Sequence, residues 1–255
     1  MTVPRPSPLS MRPRPVVRKD FADVNGLPRR GLPDEIGILD TGTLYSLSAD
    51  PGLRRRVLDH YAGRLQVSTV VHGEVLRRHE TPANRRQAHL MPVYLRADAT
   101  VRWMTNEGLT AVATADDGRE FDRIREQLQQ LAAARARPGD PEPVEAAGMH
   151  AGEADSLVLA VDLREQGHRP VLLTADGGAS LVAESMNVPA RHVGHVMREL
   201  ACSVPDATTA GTAVLFDRVT AGVGTPPAGV LPTGDGWFVC LAVAGDCPAC
   251  DALTP

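Results

Sequence analysis

A chain of 255 residues with 43% apolar content can bury the core of one sizeable domain with attachments, and it needs no disulfide staples to do so. Its net charge of -4 excludes a general basic field for nucleic acid, so any such contact falls to local arginine patches. No run of about 18 uncharged apolar residues occurs, and the opening stretch MTVPRPSPLSMRPRPVVRKD lacks a signal peptide's apolar segment, so we expect no membrane contact and a cytoplasmic location.

In chain order, residues 1–33 are rich in Pro and Arg and poor in apolar residues, which reads as a disordered basic tail. From Asp34 the pattern alternates. IGILD is a short apolar strand, PGLRRRVLDHYAGR a helix with Pro51 in its first turn, and LQVSTVV a β-branched strand. GEVLRRHE and PANRRQAHLMPVYLRAD follow as helices, TVRWM as a short strand, and GREFDRIREQLQQLAAARAR as a further helix. HAGEADSLVLAVDLREQG is helical up to its stop at Gly167, and RPVLLTAD is a buried strand ending in a carboxylate. GGASLVAESMNV then gives a helix, and PARHVGHVMREL a last short strand and helix. This predicts a three-layer α/β/α domain over residues 34–200 with a central, mostly parallel sheet. Residues 201–255 are rich in Gly, Pro and Thr and hold two β-like runs, GTAVLFDRVT and GWFVCLAVA, which predict a small β appendage.

Ligands of open parallel sheets gather outside the carboxyl ends of the strands. Four acids belong there on this reading: Asp40 at the end of the first strand, Glu74 just past the second, Asp155 near the start of a helix, and Asp176 at the end of VLLTAD. Carboxylates brought close repel one another unless a cation sits among them. All-oxygen ligands select magnesium or manganese, and such a site can bind phosphate oxygens, lower the pKa of a water and neutralise the charge of a phosphoryl transition state. Asp40-Thr41-Gly42-Thr43 also has the D-T-G-[ST] form of an aspartic protease loop, but that fold is all-β and needs two such loops, and this chain has one in a βαβ setting.

The order of ILDTGTL, VSTVVHGEVLRR, HAGEADSLVLAVDL and VLLTADGGASLVAESMNV resembles that of the PIN-domain nucleases, including the VapC-type toxins of bacterial toxin-antitoxin modules. The resemblance spans residues 34–200. It implies a PIN-like fold and a metal-dependent endoribonuclease, with Asp40, Glu74, Asp155 and Asp176 as the catalytic, metal-coordinating acids and Mg2+ or Mn2+ as the cofactor. Thr41 and Thr174 match hydroxyl positions that orient those carboxylates. Glu153 lies two residues from Asp155, so on a helix only one of them faces the metal; Asp155 is favoured, because Leu157 and Val158 follow it as in the family, and Glu153 is the alternate. The implied partners are an RNA substrate, an antitoxin protein and a second copy in a homodimer. Gly177 and Gly178 depart from the basic or aromatic residue of the family. The competing reading is a catalytically weak PIN scaffold that binds RNA or protein.

Outside this set, Cys247 and Cys250 have the spacing of half a zinc knuckle, with Cys240 as a third ligand of a structural Zn2+ and Cys202 or a histidine as the fourth; a redox pair and free thiols are the alternatives. The arginines at 54–56, 77–78 and 85–86 suit either RNA phosphates or a solvated helix face. His72 is expected to cap or pack, and Trp103 and Trp237 to lie in the core.

Overall fold

The computed structural model describes residues 35–80, 89–115, 118–135, 150–200 and 209–221. Strand β1 (Glu35–Leu39) leads into helices α1 (Thr41–Ala49) and α2 (Pro51–Tyr61), then β2 (Leu65–Ser68) and α3 (Thr69–Arg77), which ends in one 3-10 turn at Arg78–Glu80. Next come α4 (Met91–Asn106), β3 (Thr110–Ala113), α5 (Gly118–Arg135) and α6 (Ala151–Glu165). The chain continues through β4 (Arg169–Leu173), α7 (Gly177–Ser185), β5 (Ala190–Arg191), α8 (Val193–Leu200) and α9 (Thr209–Thr220). The five strands are all parallel in the order β3-β2-β1-β4-β5.

Alternation along the strands divides the core into two. Leu39 and Leu173 point to one face, where they pack with side chains of α1, α2, α3, α4, α8 and α9. Their neighbours Ile38 and Leu172 point to the other face, against α5, α6 and α7. Helices thus cover both faces of a parallel sheet, which makes the fold a three-layer α/β/α sandwich and explains why the central strands read as continuous apolar runs. A buried ion pair between Arg191 on β5 and Glu35 on β1, at 2.6 Å, crosses β4. Among the described residues no helix is long and apolar enough to cross a membrane.

Three local expectations are corrected. TVRWM lies inside α4, where Tyr94, Ala97, Val101 and Met104 recur at helical spacing and are buried; the strand comes later, at Thr110–Ala113. Thr69 to Val71 of the run LQVSTVV belong to α3, because the Ser68 hydroxyl accepts the Val71 N–H at 3.3 Å and starts the helix. GTAVLFDRVT is helical too. Leu215, Phe216 and Val219 share one face of α9, and Phe216 and Val219 are buried in the core beside α1, so the packed unit continues past Leu200. Trp103 also departs from its expected core position, being 41% exposed with the Arg54 guanidinium over its ring at 5.0 Å. The run GWFVCLAVA, Trp237, the four cysteines, the 85–86 arginines and the basic tail lie outside the described residues.

Phe216 supplies a direct check on α9. It is 2% exposed, and Phe216→Ala is expected to lower the unfolding free energy by about 3–5 kcal/mol, read from urea denaturation of the full chain. A loss below about 1 kcal/mol would mean that α9 does not seal the core.

Candidate functional site

The chain runs from β1 out to β2 and β3 and then returns to the other side of β1 with β4, so the β1/β4 boundary is the topological switch point of the sheet. Asp40 follows β1 directly. It caps α1, its Oδ1 accepting the Thr43 N–H at 2.6 Å, while Oδ2 accepts the Thr174 hydroxyl and, at 3.2 Å, the Ala175 N–H. Only 3% of Asp40 is exposed, and burial pushes its carboxyl above the usual range even against these hydrogen bonds.

Asp176 stands across this boundary, three residues past β4. Its Oδ1 caps α7 by accepting the N–H groups of Gly178 and Ala179 at 2.6 and 2.7 Å. Thr174 connects the two acids: its hydroxyl donates to Asp40 and accepts the Asp176 N–H at 2.9 Å. Both carboxylates are therefore positioned by helix starts that follow strand ends, which is the physical content of an apolar run closing on Asp.

Glu74 comes from the middle of α3 rather than from its first turn. Its Oε2 accepts the Thr41 hydroxyl at 3.0 Å, and a backbone hydrogen bond from Gly152 reaches the same carboxylate. Burial raises its pKa, and the charge of Asp40 adds to that rise. Gly152 is required here for its missing side chain, since a Cβ would come within 2.7 Å of Glu74 Oε2 and 3.0 Å of Val71. Because the Glu74 carboxylate is the movable end of a long side chain, Gly152→Ala is expected to displace it, with little loss of stability. In an assay of any activity that uses Glu74, we expect a fall of roughly tenfold or more, with a melting temperature close to that of the parent chain.

Helix α6 gives its two acids different surroundings. Glu153 has Asp40, Glu74 and Asp176 as its electrostatic neighbours, and burial together with these charges pushes its carboxyl up to about 7. Asp155, the acid favoured from the sequence, is 6% exposed and accepts the Val70 N–H at 3.2 Å, tying α6 to the first turn of α3. The charges of Asp40, Glu74 and Asp176 thus reach Glu153, while the Asp155 carboxylate binds the first turn of α3. The apolar pair Leu157 and Val158 could not have discriminated between the two acids, because α6 is buried nearly all round, from Ala154 through Ala160.

Four carboxyl groups held at an edge, three of them disfavoured in their charged form, make a strongly cation-seeking environment. The donors are all oxygen, which suits a hard divalent ion such as Mg2+ or Mn2+. Among the described residues, however, no group of three or more His, Cys, Asp or Glu side chains stands close enough together to hold a metal ion. The donor chemistry fits such an ion, and coordination would require the carboxylates to stand closer together than they do here.

The other residues singled out in the sequence lie elsewhere or serve the fold. Arg55 pairs with Asp59 on an exposed helix face at 3.0 Å, and Arg54 donates to Thr100 at 3.2 Å. Arg78 lies over the Tyr94 ring at 5.7 Å and its charge reaches Glu74, where it opposes the effect of burial. His72 is pulled below the ordinary imidazole range by burial and then by Arg102. A feature that no sequence signal marked is a cavity beside Asp176, to which His192 contributes.

The protein is therefore a three-layer α/β/α sandwich with an acidic cluster at its switch point. No protein-family model matches the chain, and no curated protein and no solved structure matches it. The likeness to PIN-domain nucleases accordingly rests on the motifs and their order.

Proposed function

We propose that this protein is a metal-dependent endoribonuclease acting in the cytoplasm. The observation that carries the reading is the set of neighbours around Glu153: Asp40, Glu74 and Asp176 converge from three separate elements, and their charges help raise its carboxyl to about 7. Such crowding is a standing cost in a purely structural role and an asset where positive charge must be concentrated.

A bound Mg2+ or Mn2+ would supply Lewis acidity toward a phosphodiester and a more acidic water. The residues of the chain do the rest. Asp40 and Asp176 are held rigidly by N-cap hydrogen bonds and by Thr174. Glu74, steadied by Thr41, and Glu153 complete the donor set from the helices on either side. RNA is the proposed substrate, and an antitoxin protein and a second copy of the chain are proposed partners, on the strength of the motif resemblance alone.

The test is cleavage of a panel of single-stranded RNAs by the full chain with and without Mn2+ or Mg2+, alongside calorimetric titration of the metal. Metal-dependent cleavage supports the reading. Metal uptake with no cleavage of RNA would move the protein to the second reading, a scaffold that binds RNA or protein; that reading is favoured by one specific observation, the separation of the acids beyond metal-holding distance.

A further inference from the structure

Trp103 lies at the surface, and the side chains beside it are cationic. The Arg54 guanidinium of α2 stands over its ring at 5.0 Å and donates to the Thr100 hydroxyl at 3.2 Å. Arg54 is thus held by an indole and an uncharged hydroxyl rather than by a carboxylate. It can cover one face of the indole only, and 41% of Trp103 stays open to water. Arg96, exposed two turns earlier on α4, has no carboxylate partner among the described residues either. Arg96, Thr100 and Trp103 follow one another at i, i+4 and i+7, so they form one row along α4 with Arg54 laid beside it.

The neighbouring acids leave this row positive. Asp59 pairs with Arg55, Asp50 with Arg218, and Asp98 with Arg102 on the opposite flank of α4. Glu107, exposed and four residues past Trp103, is the acid on the row itself, and it stands against two arginines. Helix α4 also links the row to the acidic cluster. Tyr94, two positions before Arg96, packs on Tyr45 with ring centroids 5.8 Å apart, and the Tyr45 phenol, raised to about 12 chiefly by burial, also feels the charge of Glu74. From Tyr94 to Trp103 the helix rises about 14 Å.

We propose that this face of α4 is a binding surface for single-stranded RNA, on which a base stacks against the open part of the Trp103 ring while Arg54 and Arg96 hold phosphates. A flat aromatic surface flanked by cations matches a base joined to phosphates better than it matches an acidic peptide, and the choice of RNA also rests on the ribonuclease reading. Stacking accepts any base and phosphate contacts carry no sequence information, so the surface holds the strand beyond the acidic cluster without selecting its sequence.

The experiment measures binding of a fluorescently labelled single-stranded oligoadenylate to the full chain by anisotropy, without metal and over a range of salt concentrations. Trp103→Leu is expected to weaken binding roughly tenfold, the value of one lost stacking contact. Arg96→Gln, at an exposed position, should lower the slope of log affinity against log salt by about 0.7, and Glu107→Gln should strengthen binding. Melting curves confirm that each variant is folded. In a Trp237→Phe chain, where Trp103 is the remaining tryptophan, the oligonucleotide should quench its fluorescence. Parent affinity in folded Trp103→Leu, an unchanged salt slope in Arg96→Gln, or equal quenching by polyglutamate would each overturn the assignment, the last in favour of an acidic protein partner. RNA cleavage is scored separately. Cleavage with no loss of RNA affinity in Trp103→Leu overturns the surface and leaves the nuclease reading standing, whereas Trp103-dependent binding without cleavage supports the surface and moves the protein to the scaffold reading.

Discussion

Asp40→Asn is expected to reduce metal-dependent RNA cleavage roughly a thousandfold or more while the chain stays folded. The reason for the first half is charge. Asp40 sits at the end of β1 with a buried carboxylate whose charge reaches Glu74 and Glu153, and an amide of the same shape cannot offer that charge to a cation. The reason for the second half is hydrogen bonding. An Asn side-chain oxygen can still accept the Thr43 N–H and cap α1, Asn being among the best N-cap residues. The amide nitrogen replaces Oδ2 and can donate to the Thr174 hydroxyl, so the Ala175 N–H and the Thr174 O–H both lose their acceptor. Those losses cost about 1–3 kcal/mol each, and removal of a desolvated carboxylate offsets part of them. Circular dichroism and thermal melting check the fold, and gel-resolved cleavage checks activity. Cleavage at the parent rate by clean, folded Asp40→Asn would remove Asp40, and with it the nuclease site, from consideration.

Glu153→Gln is expected to stabilise the metal-free protein at pH 8 and to flatten its stability between pH 4.5 and 7. Glu153 shifts from the ordinary 4.5 in the unfolded chain to about 7 when folded. Between those values the folded state binds more protons than the unfolded one, so stability is fully present below the lower value and is lost as pH rises through the upper one. Raised carboxyls at Asp40 and Glu74 act in the same direction. With part of Glu153 still open to water, about 2 kcal/mol is at stake, or roughly 4–8 °C in melting temperature for a domain of this size. Mn2+ or Mg2+ should restore much of that stability at pH 8 by favouring the ionised acids, and Glu153→Gln should shrink the restoration. Melting curves at several pH values, with and without metal, read both effects. A parent chain whose stability rises from pH 5 to 8 without metal, unchanged by Glu153→Gln, would show that Glu153 does not meet the other carboxylates.

Much of the architecture is legible in the sequence because local physics imposes it. The short apolar strands IGILD and RPVLLTAD stand on both sides of the switch point, and each passes into a helix capped by its terminal acid, so Asp40 and Asp176 could be placed from the pattern alone. Thr41 and Thr174, which the resemblance matches to carboxylate-orienting hydroxyls, donate to Glu74 and Asp40 through contacts that the sheet brings together from far apart in the chain. In TVRWM and GTAVLFDRVT the β-branched and aromatic residues favour strands locally, but the apolar spacing is helical and both segments are helices. Phe216 in α9 and Val101 in α4 show the spacing prevailing once a core is there to receive them.

The sequence by itself determined the parallel α/β order and the strand-end acids, because hydrophobic period and helix capping are properties of neighbouring residues. Only the tertiary structure brings Glu153 within electrostatic reach of Asp40, Glu74 and Asp176, ties Asp155 to α3, and buries the His192 ring near Phe216. Those outcomes depend on the rotation of a largely enclosed helix and on contacts between residues far apart in the chain, which no local pattern encodes.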